Sequence, residues 1–113
     1  MADDCLFCRI ARDEIPAKIV ASDEHVVAFR DINPQAPTHV VIIPRAHIPS
    51  LNEADDAATI GRLSLMAAKV ARMEGLAERG YRTVVNTNAD AAQTVFHVHL
   101  HLLGGRAMGW PPG

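Results

Sequence analysis

Cysteine is scarce in this 113-residue chain: Cys5 and Cys8 are the only two. A bridge across so short a loop would constrain little, and a reducing cytosol would keep both as thiols, so a disulfide framework is not expected. A redox Cys-x-x-Cys should follow a strand in a βαβ unit, and four residues before Cys5 leave no room for one; metal binding or simple burial remains. A surplus of charge of either sign is also lacking. Eleven Lys and Arg stand against 13 Asp and Glu, a formal net charge of −2 with the histidines neutral. That balance argues against a broad nucleic-acid or anionic-membrane surface and leaves room for a small anionic ligand held by local donors. No apolar run approaches the length of a membrane span, and the acidic opening Met1-Ala2-Asp3-Asp4 has no signal core, so no membrane partner and a cytoplasmic location are expected. Repeats, linkers and low-complexity tracts are missing too. Residues 1–113 read as one domain, long enough to bury roughly two thirds of its unfolded surface.

Histidine, by contrast, is concentrated. Three of the six histidines fall in Phe96-His97-Val98-His99-Leu100-His101-Leu102-Leu103, two residues apart and alternating with apolar side chains. In a strand this period sends His97, His99 and His101 to one face and Val98, Leu100 and Leu102 into the core; a helix would split the histidines. Imidazole serves near neutral pH as nucleophile, proton carrier or metal ligand, and a solvated sheet face ordinarily draws on mixed Thr, Lys, Glu and Arg. The row therefore reads as chemistry.

Around it, Cys5 to Ala11 is expected to form a short helical turn. Strands are expected over Ala17–Ala21, Val26–Asp31, His39–Ile43, Tyr81–Thr87 and Val95–Leu103, the first two as an antiparallel hairpin about Ser22-Asp23-Glu24. Pro34 and Pro37 mark a stiff loop. One long helix is expected from near Glu53, with Glu53, Asp55 and Asp56 in its first turn, an apolar stripe of Ile60, Leu63, Ala67 and Val70 flanked by Met66 and Met73, and a stop at Gly75 or Gly80. Five strands and one long helix, with short connections, point to an α+β antiparallel sheet. The helix should cover the face carrying Val98, Leu100 and Leu102 and leave the histidine face open for a ligand.

The segment His97-Val98-His99-Leu100-His101-Leu102-Leu103 resembles the signature of the histidine triad (HIT) family, His-φ-His-φ-His-φ-φ with φ apolar. Ile15-Pro16-Ala17-Lys18-Ile19, the run from Asp31 to His39, Gly80-Tyr81-Arg82 and the closing Trp110-Pro111-Pro112-Gly113 extend the resemblance to the nucleoside-phosphoramidase branch of that family, from about Cys5 onward. The resemblance implies a HIT-like fold and hydrolysis of the P–N bond of purine nucleoside 5′-phosphoramidates. His99 would be the nucleophile, held through its second ring nitrogen by a carbonyl in its own strand, that of His97. His101 would hydrogen-bond the phosphate or bridging atom, and His39 would complete a histidine quartet. Asp31 would bind the ribose hydroxyls; Asn86, Gln93, Thr94 and Val95 would supply phosphate donors; Phe7, Ile10, Ile15, Phe29 and Ile32 would form the base slot. On their own residue chemistry, His39 would be structural, Thr94 a turn residue, Asp31 the carboxylate of an Asx turn and the apolar five ordinary core. A dinucleoside polyphosphate hydrolase and a non-catalytic nucleotide-binding regulator are the rival readings.

Cys5, Cys8, His47 and His97 form a four-ligand set of the kind structural zinc uses, similar to the two cysteines, remote histidine and first triad histidine of the galactose-1-phosphate uridylyltransferases. The alternative is two buried thiols. A homodimer with one continuous sheet is expected from the resemblance, and also because a small sheet leaves an edge to cover and Trp110 has no evident core of its own to enter. Trp110 would then reach the partner's nucleotide site. Two departures from the branch stand out: Ala91-Ala92 where Gly-Gly is common, and Gly109 where a histidine is common.

Overall fold

The computed structural model describes residues 4–113. Its elements are α1 (Leu6–Ala11), β1 (Ile19–Ser22), β2 (Val26–Arg30), β3 (Thr38–Pro44), α2 (Ala57–Met73), β4 (Tyr81–Val84) and β5 (Leu100–Gly104), with 3-10 turns at Leu51–Glu53 and Ala89–Ala91. The strands form one antiparallel sheet in the order β1-β2-β3-β5-β4. The fold is α+β, with five strands, one long helix and one short helix, as the sequence leads one to expect.

Strand β3 is apolar almost throughout because both of its faces are covered, and two cores result. On one face Leu63, Met66, Ala67, Val70 and Ala71 of α2 pack on Val26, Ala28, Val40, Ile42, Leu100 and Leu102. On the other, Phe7 of α1 packs with Val27, Phe29, Val41 and Ile43. The histidine face is therefore not simply open: α1 closes part of it, because Phe7 brings an apolar side chain that the sheet alone would leave wet.

The long helix starts at Ala57, not near Glu53. Asp56 caps it, its carboxylate accepting from the Ala58 amide at 3.0 Å and the Thr59 hydroxyl at 2.8 Å, while Ser50 caps the separate Leu51–Glu53 turn. Glu53 instead accepts the Ser50 hydroxyl at 2.6 Å. The helix ends at Met73, Glu74 caps it, and Gly75, whose φ of 73° suits a glycine after the last turn, redirects the chain so that Leu76 N–H returns to the Ala71 carbonyl at 2.8 Å. Leu76 then packs so tightly on Gly104 that a Cβ there would lie 2.6 Å from its Cδ1.

The histidine strand is shorter than its alternation suggests. Residues 95–97 bend, and the ladder begins at Leu100. The Val98 amide bonds the Ile48 carbonyl, outside the sheet, which draws the chain away from β3. Strand β1 begins at Ile19 and β4 ends at Val84, each shorter than expected, and β3 runs one residue further at both ends.

Candidate active site

His101 lies on β5, opposite Val41 of β3 and Val84 of β4. His39 lies on β3 opposite Leu103, so the two histidines are diagonal neighbours on one sheet face although 62 residues apart in sequence. His39 Nδ1 accepts the Gln35 backbone N–H at 2.9 Å, which puts the ring proton on Nε2. That Nε2–H points at His101 Nδ1, 2.9 Å away, and at Asp31 Oδ2, 3.3 Å away. With Nδ1 accepting, His101 carries its own proton on Nε2, as a donor facing out of the pair. Asp31 also accepts the Asn33 amide at 2.8 Å through Oδ1, the Asx turn its residue type suggests, leaving Oδ2 for other donors.

His99 is buried and stands just before the ladder. Its Nδ1–H donates to the His97 carbonyl at 2.8 Å, so Nε2 keeps its lone pair. The Phe7 ring meets it edge-on at 5.0 Å and 87°, and the His101 ring lies at 4.9 Å. Burial holds His99 below the ordinary imidazole range, opposed by the His97 carbonyl and the Asp31 carboxylate. Burial first, then repulsion from His99 and His39, pushes His101 down to about 4, and burial lowers His39 as well. The three rings are neutral near pH 7, the state in which imidazole is nucleophilic or coordinating.

His97 belongs to a different group. Its side chain is fully buried, with Nδ1 3.3 Å from Cys5 Sγ and 3.4 Å from Cys8 Sγ, while the exposed His47 brings Nδ1 within 3.2 Å of Cys8 Sγ. The four donor atoms lie within 4.8 Å of one another. His97 Nε2–H donates to the Pro44 carbonyl at 2.8 Å, leaving Nδ1 as a lone pair aimed at the sulfurs. This is the orientation a metal-ligating histidine adopts, and burial pushes the ring down to about 4, keeping it neutral. Both cysteines are thiols. Asp31, His39 and His101 also converge within 4.8 Å, but there the second nitrogen of His39 faces a donor, so Nε2 keeps its proton and has no lone pair to offer. The first group is compatible with a metal ion, and the second is a proton network.

Of the five residues expected in a base slot, Phe7 and Phe29 meet edge-on at 5.5 Å and Ile10 packs on them. Ile15 is half-buried, and Ile32 stands fully in solvent on its loop, apart from the apolar cluster. Val95 joins the cluster, Asn86 is half-buried and Thr94 is exposed. Gln93 is buried with its amide already used: Oε1 accepts from Asn88 N at 2.9 Å, and Nε2 donates to the Pro49 and Val95 carbonyls at 2.9 and 3.1 Å. Its side chain clamps the loop from inside. Trp110 is 83% exposed, with the Arg82 guanidinium 6.0 Å from its ring centroid. Sequence reasoning missed the Gln35 amide and the Pro44 carbonyl, which orient His39 and His97. Backbone groups carry no residue-type signal, and none could have found them.

Residues 12–108 match the HIT domain family, and the chain belongs to that family. It is 51% identical over 111 residues to the purine nucleoside phosphoramidase of Escherichia coli K12, covering 96% of this chain and 93% of that protein. The crystal structure of a HIT family hydrolase from Legionella pneumophila Philadelphia 1 superposes with a TM-score of 0.95 at 53% identity, over 97% of this chain and 100% of that one. A HIT family hydrolase from Clostridium thermocellum gives 0.92 at 47% identity, covering 95% of each. The chain is an enzyme of this hydrolase group.

Proposed function

We propose that the protein hydrolyses the P–N bond of purine nucleoside 5′-phosphoramidates through a nucleotidyl-histidine intermediate. The observation that carries this reading is the fixed tautomer of His99, whose Nδ1–H is spent on the His97 carbonyl while Nε2 stays free and unprotonated beside His101. The phosphoramidase name of the Escherichia coli relative supports the substrate class. In the first step the His99 Nε2 lone pair bonds the α-phosphorus, and the P–N electrons leave with the amine nitrogen, which takes a proton from water. In the second, water attacks phosphorus and gives up a proton to solvent, the bond to His99 breaks, its electrons return to Nε2, and the nucleoside monophosphate departs. A neutral imidazole needs no prior deprotonation for the first step and leaves readily in the second.

His101 Nε2–H donates to a phosphoryl oxygen or the bridging atom, and the His39 N–H at its Nδ1 polarises it for that role. Asp31 Oδ2 accepts from the ribose hydroxyls. Asn86, Thr94 and the backbone at Gln93 and Val95 hold the phosphate. Phe7, Ile10, Ile15, Phe29 and Ile32 hold the base, Ile32 by folding its exposed side chain over it. Cys5, Cys8, His47 and His97 hold a structural zinc, which secures the N-terminal hook and takes no part in bond making. Residues 1–113 work as a single domain in the cytoplasm. Two copies join through the exposed β4 edge, with Trp110 of each reaching toward the other's nucleotide site; no helix among the described residues is long and apolar enough to cross a membrane. Incubation with adenosine 5′-monophosphoramidate tests the reading: AMP and ammonia should appear in equal amounts, and an inert mixture would refute it.

A further inference from the structure

His99 sits one residue before the sheet ladder, so cross-strand hydrogen bonds do not pin its ring. Three contacts do: the His97 carbonyl, the Phe7 ring edge and the His101 ring. Two of these lead back to the cysteine–histidine group. The carbonyl belongs to the residue whose side chain lies between the two sulfurs. Phe7 stands between Cys5 and Cys8 in sequence, on a helix that Cys5 opens by accepting the Cys8 amide at 3.4 Å. That helix has six residues, far below the length at which an isolated helix persists in water, so its place depends on what anchors it. The Phe7 ring also meets His97 at 6.0 Å and Phe29 at 5.5 Å. One side chain thus touches the cysteine–histidine group, the candidate nucleophile and the wall of the candidate base slot.

We propose that Phe7 is a positioning residue for His99, and that it links occupancy of the Cys5, Cys8, His47 and His97 group by a thiophilic divalent metal to nucleotide binding. The inference rests on the proposed nucleotide site and on the metal set described with it. A metal fixes Cys5 and Cys8, these fix α1, and α1 sets the Phe7 edge against His99 while closing one side of the base slot. Without the metal the short helix loosens, and the nucleotide must order it on binding. The cost moves from one ligand to the other, which is a coupling free energy between two sites. Such coupling is reciprocal: whatever factor the metal adds to nucleotide affinity, the nucleotide adds to metal affinity.

This permits a test without turnover. Zinc affinity of the full chain is measured by competition with a chromophoric chelator, with and without saturating AMP, after AMP binding to the zinc-loaded protein has been established by calorimetry. AMP should tighten zinc about tenfold, within the usual range of coupling between sites. In Phe7→Leu, which keeps all four ligands and an apolar side chain, zinc should still bind one per chain and the AMP effect should fall below about twofold. The ring nitrogens of His99, followed by 15N NMR, should shift on zinc removal in the wild type and by markedly less in the variant, where only the His97 carbonyl still joins the two sites. Equal zinc affinity with and without AMP in the wild type, or full coupling in Phe7→Leu, overturns the proposal. The wild-type measurement decides even if the variant fails to fold. Failure to bind zinc would also overturn it, whereas failure of the zinc-loaded protein to bind AMP would overturn the functional reading itself.

Discussion

At the scale of single residues, the proposed chemistry rests on His99, whose tautomer its surroundings fix. Replacing it with Asn removes the proposed nucleophile and keeps the pocket: turnover of adenosine 5′-monophosphoramidate should fall by at least about a thousandfold while AMP affinity, measured by calorimetry, stays within about threefold. Its acidity has a direction as well. Burial lowers His99, so kcat/KM should decline on acidification with a midpoint below that of a free imidazole. Stability should move the same way. His101 titrates near 4 in the fold and near 6.5 in the unfolded chain, so the unfolded chain binds more protons between those values and Tm should drop as pH falls through that window. That His99 and His101 lie together was legible, because alternation of histidine with apolar residues puts them on one face. The role of His39 was not, since its partner is 62 residues away and only the sheet register brings the two together. Gln93 misled for a related reason: an amide in a polar loop reads as a ligand donor, and only the fold shows it spent on backbone groups.

At the scale of elements, the apolar stripe of α2 was legible through Leu63, Met66, Ala67 and Val70, while its start was not. Glu53, Asp55 and Asp56 all suit a first turn, and only the hydrogen bonds of Ser50 and Asp56 separate a 3-10 turn from the helix proper. The loop that leads into Gln93 bears a similar mark. Ala92 has φ 61° and ψ 38°, a left-handed conformation that costs a residue with a Cβ about 1–2 kcal/mol. Ala92→Gly should relieve that cost, less the extra entropy glycine brings to the unfolded chain, for a net gain of about 0.5–1 kcal/mol by urea denaturation. At the N-terminal hook, Cys5→Ser with Cys8→Ser should abolish metal uptake, about one zinc per chain by elemental analysis in the wild type, and lower Tm; equal Tm values would make the cysteines plain core residues.

At the scale of the whole molecule, β4 is an edge strand with Tyr81 exposed, and Leu65, Met73 and Trp110 add further exposed apolar surface. A second copy would cover that edge, so sedimentation at micromolar concentration should give a dimer. Deleting residues 109–113 should change the preference among phosphoramidate amines more than it changes AMP affinity; an unchanged series would separate the tail from the site. The strand order was beyond the sequence, because length and pattern identify strands and say little about which lie side by side. That order has a consequence for how the protein comes into being. The strand β5 is the last in the chain and a middle one in the sheet, slotted between β3 and β4. During synthesis, β4 emerges with no neighbouring strand, and the gap beside β3 stays open until β5 leaves the ribosome. His101 rides on that segment, with His97 and His99 just ahead of it. A nascent chain that has passed β4 therefore holds four of the five strands and none of the three clustered histidines, and the act that completes the sheet is the same act that brings those histidines into place.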